Sequence, residues 1–226
     1  MLVDPAHYLY SDPTILAYSV YRGLYGNFWG ASFMVRSTVL RKVYMLDKID
    51  KKYDVVYADP PWKMDFSISH NRDFENHYPT MTLEEICALQ IPAADDSILY
   101  LWTTTPKLNE GLIVLEKWGF RYVSNLIWDK VNFGCGWWSR VQHEILLIGV
   151  KGKMSPPEPE ERCRSIISIK SDRSKNGHSR KPQEFRDIIH YRHPNLSKIE
   201  LFAREHDVGW EAWGNEAPVE PRVTLF

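Results

Sequence analysis

The sequence predicts an α/β fold, in which a mixed sheet carries helices on both faces. From Asp54 onward, apolar runs rich in β-forming residues alternate with amphipathic helical stretches. This rhythm is typical of sheets whose strands are connected by helices. A length of 226 residues suits one domain of that kind and permits a small appendage.

The strands are predicted from short runs of apolar and β-branched residues. Four fall in the first two-thirds of the chain, namely DVVYAD, SILYLWTT, RYVSNLIWDK and EILLIGVKG, and we expect the third to be half exposed. A short strand follows at Ser165–Ile169. Two more, SKIELFARE and GWEAWGNE, close the patterned region.

Three helices are predicted between these strands. TMTLEEICALQI opens with a candidate N-cap, Thr80 or Thr82, has two glutamates in its first turn and ends before Pro92. KLNEGLIVLEKWG is amphipathic and stops at Gly119. KPQEFRDIIHYRH has Pro182 near its first turn, where proline is well tolerated.

Residues 1–44 differ from the rest of the chain. They are rich in aromatic residues and glycine, and no acidic residue occurs between Asp12 and Asp47. They show no clear helical or strand period. We therefore expect an N-terminal extension over 1–44, either packed or poorly ordered, a folded domain over 45–216 and a C-terminal tail over 217–226.

The composition excludes several classes of protein. Apolar residues make up 44% of the chain and charged residues 25%, which is typical of globular proteins. The net charge of −1 means that any nucleic acid must be bound by a local patch. The three cysteines form no CxxC pair, as in a reducing cytosol. Without a membrane-length apolar run or a signal peptide, the chain is expected to be soluble and cytoplasmic, with no membrane partner.

The stretch ADPPW places Asp59 at the end of the first predicted strand, followed by Pro60, Pro61 and Trp62. In open α/β sheets, ligands bind beyond the carboxyl ends of the strands. The stretch after KIELF ends a strand in the same way, so one crevice would hold both if the two strands are neighbours. A simple turn with a core tryptophan is the alternative.

The four residues suit one chemical task, which is to activate an aromatic amine such as N6 of adenine. The lone pair of that nitrogen is delocalised into the ring. The Asp59 carboxylate and the Pro60 carbonyl, aimed by the fixed φ of proline, can accept its two N–H groups and localise the pair. The rigidity of Pro61 helps to hold this geometry. Trp62 offers a ring on which the base can stack, worth about 1–3 kcal/mol.

Further motifs follow in order, namely LYLWTT, LIWDK with HEILLIGVKG, HSRKPQEF, KIELFAR and WEAWGNE. From about Asp54 to Glu216 the sequence resembles the permuted N6-adenine methyltransferases of the MT-A70 type. This family is related to the seventy-kilodalton subunit of the mRNA adenosine methyltransferase and includes many bacterial and phage DNA enzymes. The resemblance implies a permuted, Rossmann-like methyltransferase fold. It also implies an adenine-specific DNA-methyltransferase of a bacterial or phage-infected cell.

The cofactor that the resemblance implies is S-adenosyl-L-methionine. By the family pattern, Lys181 would meet the methionine carboxylate, and Asp59 would also lie beside the cofactor. The ribose and nearby groups would be surrounded by Phe202, Arg204, His206 and Asp207, and the adenine ring by Asn215 and Glu216. An ammonium for a carboxylate and an amide for a purine edge are chemically sensible pairings.

Two features depart from the family pattern. Ala203 stands where relatives often have glycine, so the loop after KIELF must accommodate a methyl group. Relatives also carry an acidic residue upstream of the Asp-Pro-Pro-Trp motif that contacts the cofactor. Only Asp47 or Asp50 could serve here, at a shorter spacing, and we assign the role to Asp47.

Nucleic-acid contacts are expected from two loops. The run from Arg162 to Lys181 is basic, with Asp172 as its one acid, and a solvated loop is the alternative. The candidate phosphate contacts are Arg164, Lys170, Arg173 and Lys175. In FGCGWWSR, Trp137 is a candidate for stacking on a base. We interpret the pair His143 and Glu144 as the start of a strand, and we predict no metal site.

The expected substrate is DNA rather than RNA, because the chain lacks the long appended regions of the eukaryotic mRNA enzymes. One alternative is an RNA N6-adenosine methyltransferase with the same site, and another is an inactive nucleic-acid-binding partner of an active subunit. A methyltransferase acting on protein glutamine is a third, although asparagine usually replaces Asp59 there. A homo- or hetero-oligomer is compatible with each.

Overall fold

A computed structural model describes residues 46, 49–63, 80–134, 138–170 and 180–214 of the chain. In these ranges the strands are Tyr53–Ala58 (β1), Ala93–Thr104 (β2), Arg121–Asp129 (β3), His143–Lys151 (β4), Ile166–Ser168 (β5), Lys198–Leu201 (β6) and Glu211–Trp213 (β7). The α-helices are Leu83–Cys87 (α1), Leu108–Lys117 (α2) and Gln183–Arg192 (α3), with short 3-10 turns at Thr105–Lys107 and Pro159–Glu161.

The seven strands form one sheet in the order β5-β3-β4-β2-β1-β6-β7. Strand β1 lies inside the sheet and runs parallel to both of its neighbours, β2 and β6, and β7 runs parallel to β6. Strand β4 is antiparallel to both of its neighbours, β2 and β3. Its first residues therefore lie at the edge of the sheet where the neighbouring strands end.

Helices cover both faces of this sheet. Helix α3 places Phe185 and Ile189 in a core cluster with residues of one face, and the Phe185 ring lies 4.8 Å from that of Trp102. Helix α2 packs on the other face, where a Cβ on Gly149 would come within 2.9 Å of Leu115 Cδ1. The absent side chain at Gly149 thus lets α2 lie close to β4. The predicted α/β sheet with helices on both faces is confirmed.

The first predicted helix is shorter than expected. Its start is correct, because Thr82 Oγ1 accepts from the Glu85 N–H and the Glu85 carboxylate accepts from the Thr82 N–H. It ends at Cys87, well before Pro92. The residues after it are needed elsewhere, since the Pro92 carbonyl accepts from the Tyr53 N–H and β2 begins at the next residue. Pairing with β1 therefore replaces the last helical turns.

The predicted extension over 1–44 and the tail over 217–226 lie outside the described residues. Strand β7 is described to Trp213, so the end of the predicted run GWEAWGNE is outside them as well. Within the described ranges, every helix is too short or too polar to cross a lipid bilayer.

Candidate active site

The carboxyl ends of β1 and β6 are side by side. Val55 pairs with Lys198 and Ala58 with Leu201, so the two strands end together. Asp59 and the stretch that begins at Phe202 consequently leave the sheet at one edge. The two strands are thus neighbours, as a shared crevice would require, and their ends lie at the edge where α/β sheets bind their ligands.

Asp59 is held by a lysine from a distant part of the chain. Lys181 Nζ, just before α3, donates to Asp59 Oδ2 over 2.5 Å and lies 3.3 Å from Glu144 Oε2. Glu144 is the second residue of β4 and also pairs with Lys130. The Lys181 side chain is 5% exposed, whereas that of Asp59 is 28% exposed. The ammonium is thus enclosed, whereas the carboxylate that it holds is partly exposed.

Burial and ion pairing act in opposite directions on these groups. Burial raises the pKa of the Asp59 carboxyl above its usual range, and the ammonium of Lys181 opposes part of that rise. Burial alone would lower the pKa of Lys181, but Asp59 and Glu144 outweigh it and the pKa is raised. The two lysines beside Glu144 outweigh burial in the same way and lower its pKa. Lys181 therefore stays charged in a nearly closed space.

The Pro-Pro-Trp segment is pinned to β2 and to the chain before α1. Trp62 Nε1 donates to the Trp102 carbonyl over 3.1 Å, and the Trp62 N–H donates to the Pro60 carbonyl over 2.9 Å. Met81 and Pro61 are joined by a backbone hydrogen bond of 2.8 Å. Trp62 is 9% exposed, so most of its ring is packed against the surrounding residues. The Pro60 carbonyl keeps one lone pair for a second donor.

A buried ion pair lies beneath this edge. Arg186, one turn into α3, donates from Nε and Nη2 to the two carboxylate oxygens of Glu200 over 2.8 and 2.5 Å. Its guanidinium lies 5.3 Å from the centre of the Tyr57 ring, and the Tyr57 hydroxyl accepts from Trp102 Nε1 over 2.6 Å. Arg186 Nη1 has no hydrogen-bond partner among the described residues. Since α3 also follows Lys181, this pair fixes the helix beneath Asp59.

The loop after β6 turns sharply against β7. Phe202 has a φ of 63°, the left-handed region that L-residues rarely adopt, and Ala203 is 1% exposed. A Cβ on Gly214 would lie 2.0 Å from the Ala203 carbonyl oxygen. The absent side chain at Gly214 therefore lets the backbone of that segment approach the backbone of Ala203 closely. Beyond the turn, the Asp207 carboxylate accepts from the Gln183 side chain at the start of α3.

The remaining predicted site residues fall into two groups. Arg164 and Lys170 are exposed and flank β5, and Arg204 is exposed beyond β6. His206 is half-buried beside Asp207. Those outside the described residues are Asp47, Trp137, Arg173, Lys175, Asn215 and Glu216. Among the described residues, acidic, histidine and cysteine side chains form no group that could hold a metal ion.

The sequence pattern that defines the MT-A70 family matches residues 53–216, nearly all of the region that forms this sheet and its edge. The chain belongs to the MT-A70 family. The resemblance drawn from the motifs is therefore confirmed. The mixed seven-stranded sheet agrees with the α/β class of S-adenosylmethionine-dependent methyltransferases to which MT-A70 proteins belong.

Relatives of this MT-A70 chain are of two kinds. The type II methyltransferase M.MunI of Mycoplasma sp is 37% identical over 202 residues, which cover 78% of this chain and 85% of the relative. The human N(6)-adenosine-methyltransferase catalytic subunit METTL3 is 33% identical over 73% of this chain but 28% of its own length. The Drosophila melanogaster N(6)-adenosine-methyltransferase MT-A70-like protein is 32% identical, again over 27% of its length. The chain thus spans about a quarter of those larger relatives.

Two parts of this MT-A70 site were missed from the sequence. Glu144 was interpreted only as the start of a strand, which it is, but β4 is antiparallel and so delivers the residue to the edge beside Lys181. A charged residue opening an otherwise apolar strand was the available signal. The pair Arg186 and Glu200 was missed because the two residues meet only when α3 packs against β6, which the sequence does not specify. A glutamate inside the apolar run KIELF was the clue, since buried acids are nearly always paired.

Proposed function

We propose that the chain transfers a methyl group from S-adenosylmethionine to N6 of adenine in DNA. The observation that carries the proposal is the partly exposed Asp59 carboxylate at the end of β1, one oxygen of which is held by the enclosed Lys181. A carboxylate held in this way can accept an N–H from a substrate amine without having to be ordered first. The MT-A70 membership supports the reaction class.

DNA is favoured as the substrate by the pattern of relatives. M.MunI, named a type II methyltransferase, matches this chain over most of both lengths. The relatives named N(6)-adenosine-methyltransferases extend far beyond the matched region. RNA adenosine is the second candidate, and those same names support it. An inactive partner role is disfavoured, because Asp59 and Lys181 are paired and in place at the edge.

The residues at this edge fit S-adenosylmethionine. The Asp207 carboxylate suits ribose hydroxyls, whereas Lys181 is enclosed behind Asp59 and contributes to the site by holding that carboxylate. Phe202, Arg204 and His206 follow β6 along the same edge, and we assign them to the same ligand. When bound, the cofactor supplies an electrophilic methyl group on sulfur, with a neutral thioether as the leaving group.

The protein's own part in the reaction is to hold the amine. Asp59 Oδ1 and the second lone pair of the Pro60 carbonyl accept the two N–H groups, which localises the nitrogen lone pair toward the crevice. After transfer, the nitrogen carries an extra proton, and Asp59 is the acceptor beside it. Because burial raises the pKa of Asp59, the carboxylate is more basic than a solvated one and suited to that step.

The packed ring of Trp62 serves as a wall for the target base. Its indole N–H is held by the Trp102 carbonyl, so the ring has a fixed orientation. We propose that the flipped adenine lies against its accessible edge, at a flipping cost of a few kcal/mol. The basic residues Arg164 and Lys170, with Arg173 and Lys175, are proposed as phosphate contacts.

The test is mass spectrometry of nucleosides from DNA and from RNA after expression in a host without its own adenine methylation. N6-methyldeoxyadenosine should appear in DNA with the wild-type chain and be strongly reduced with Asp59→Asn. If methylated adenosine appears only in RNA, the substrate is RNA, which is the second candidate. Absence from both nucleic acids, with a folded protein that binds the cofactor, would overturn the proposed reaction.

A further inference from the structure

The loop between β3 and β4 presents large side chains to solvent at the edge that carries Asp59. Its described residues are 130–134 and 138–142. Phe133 is 61% exposed and Trp138 is fully exposed at 101%. The Arg140 guanidinium lies 5.0 Å from the centre of the Phe133 ring. The loop thus carries two exposed aromatic side chains and an arginine that lies beside one of them.

The base of this loop is firmly fixed. Asp129, the last residue of β3, accepts from the Val131 N–H over 2.9 Å, the Gln142 side chain over 3.0 Å and the Ser168 hydroxyl over 2.8 Å. Val131 has a φ of 64°, which is costly for a β-branched residue. A backbone hydrogen bond of 2.9 Å also joins Gly134 to Val141. The direction in which the loop leaves the sheet is thus specified.

The same base is connected to the proposed active site. Lys130, next to Asp129, pairs with Glu144, and Glu144 pairs with Lys181. Lys181 in turn holds Asp59. The loop that carries the exposed rings therefore begins at Lys130, which is connected through three successive ion pairs to Asp59, the carboxylate proposed to accept the amine.

We infer that Trp138 and Phe133 stack on nucleobases that flank the target adenine, with Arg140 on the adjoining phosphate. The inference rests on the proposed function for the identity of the nucleic acid. When a base leaves a helix, its neighbours lose a stacking surface. Aromatic side chains accompanied by an arginine supply such a surface for any base, because every base has a π face.

A second copy of the chain fits this surface less well. Phe133 and Trp138 together can bury about 300–500 Å², whereas a stable dimer buries about 800 Å² on each partner. The charges point the same way. Arg140 places a cation beside the Phe133 ring, whereas the charge of Lys130 is paired with that of Glu144. A small aromatic surface that carries an arginine matches a nucleic-acid strand with exposed bases.

The test compares two labelled strands of equal length with the full-length protein. One is a single-stranded deoxyoligonucleotide containing all four bases, and the other is its abasic counterpart, which has the same phosphates but no bases. Trp138→Ala should weaken binding of the first about 5- to 140-fold and change binding of the second less than two-fold. Trp138→Phe should retain most of the affinity. The matched control is Tyr191→Ala, a 65% exposed aromatic in the last turn of α3, at the opposite edge of the sheet.

Three results would overturn the inference. The Trp138→Ala variant could bind both strands with wild-type affinity, or its affinity for both strands could fall equally. Alternatively, sedimentation could reveal a wild-type dimer that Trp138→Ala separates, which would assign the rings to a second copy. Methylation by the wild type is measured separately. If DNA is not methylated but Trp138→Ala still loses base-dependent binding, the stacking surface is supported and the proposed reaction is wrong. If DNA is methylated but the base-dependent loss is not seen, the reaction is supported and the stacking surface is wrong.

Discussion

Lys181 Nζ lies 2.5 Å from Asp59 Oδ2, although the two residues are 122 positions apart in the chain. The contact joins the segment before α3 to the end of β1, and Glu144 completes it from β4. Three separate parts of the sequence therefore meet in one enclosed charge cluster. Because a buried charge is costly unless it is paired, each of the three constrains the other two.

Replacing Asp59 by asparagine should reduce methyl transfer about 100- to 10,000-fold. Asparagine keeps the shape and can still accept from Lys181, but it presents a weaker acceptor to the substrate amine and cannot take its proton. Cofactor affinity, measured by calorimetry, should stay within a few-fold. The control is Asp54→Asn, at the other end of β1, where the carboxylate holds Ser197. Loss of cofactor binding in Asp59→Asn would move the residue to a cofactor or folding role.

Removing the Lys181 ammonium should lower the stability of the fold, even when no substrate is bound. Lys181→Met leaves Asp59 and Glu144 without the ammonium between them, and we expect a loss of roughly 3 kcal/mol in the free energy of unfolding. Adding Glu144→Gln should restore part of that loss, since one of the two carboxylates is then neutral. Urea denaturation of the wild type and both variants measures this. Equal stability of all three would mean that the cluster is hydrated and the charges are independent.

The buried pair beneath the site should behave differently from an exposed pair at the same edge. Arg186→Met or Glu200→Gln alone should cost about 3–5 kcal/mol, because each leaves one buried charge unpaired. The double variant Arg186→Met with Glu200→Leu should cost less than either. The control is Arg180→Met, whose partner is Glu205 and whose side chain is 44% exposed; it should cost less than about 1 kcal/mol. A similar loss in Arg186→Met and Arg180→Met would contradict this account.

Acid should destabilise the fold through His193. Burial lowers the pKa of His193 to about 4, and the nearby charges of Arg192 and Lys198 add to the effect. The unfolded chain binds the proton with a pKa of about 6.5, so stability is full above that pH and is lost as the pH falls toward 4. The expected loss is roughly 2–4 kcal/mol.

The measurement is the thermal midpoint between pH 7 and pH 4. Since His193 Nε2 and the Tyr100 hydroxyl are hydrogen-bonded over 2.9 Å, the comparison is a double variant, His193→Phe with Tyr100→Phe, which removes both polar groups. Its midpoint should depend less on pH across this window. An unchanged slope would assign the acid sensitivity to the carboxylates.

Phosphate binding by the basic residues should be visible in the salt dependence of DNA affinity. Reversing the charges of Arg164, Lys170, Arg173 and Lys175 should weaken binding and flatten the plot of log affinity against log salt. The slope should change by about 0.7–0.9 for each phosphate that is no longer neutralised. Sequence preference should survive, because such contacts do not read bases.

A control for that experiment reverses four lysines on the opposite edge of the sheet. These are Lys52, Lys117, Lys151 and Lys153, which lie before β1, at the end of α2 and around the end of β4. The total change in charge is the same. If both sets alter the salt slope equally, the effect comes from net charge and the nucleic acid is bound elsewhere.

Much of the fold could be predicted because its signals are local. The strand runs, the Thr82 cap and the strand end at Asp59 depend on neighbours in sequence, and each was found close to its predicted place. Position within the sheet is different. That β4 runs against its neighbours, and so brings Glu144 to the edge, depends on pairings with β2 and β3 that no local pattern encodes.

The limits of helix α1 illustrate the same point. Its propensity favoured helix up to Pro92, but the backbone of residues 89–92 leads into the pairing of β2 with β1. The contact of Arg186 with Glu200 likewise requires α3 to be laid over β6. Tertiary hydrogen bonds thus determine both the end of α1 and the partner of Glu200. A sequence pattern can indicate only that a buried acid needs some partner.

The place of β1 between β2 and β6 has a consequence for how the protein is made. Asp54 and Ser197, which bind each other where β1 and β6 begin, are 143 residues apart. While the ribosome is still adding that intervening chain, one edge of β1 has no strand beside it. Joining β6 closes a long loop and is expected to be slow compared with the pairing of β1 and β2. A chain released early, before Lys181 is added, would carry the Asp-Pro-Pro-Trp segment without the cation that holds it.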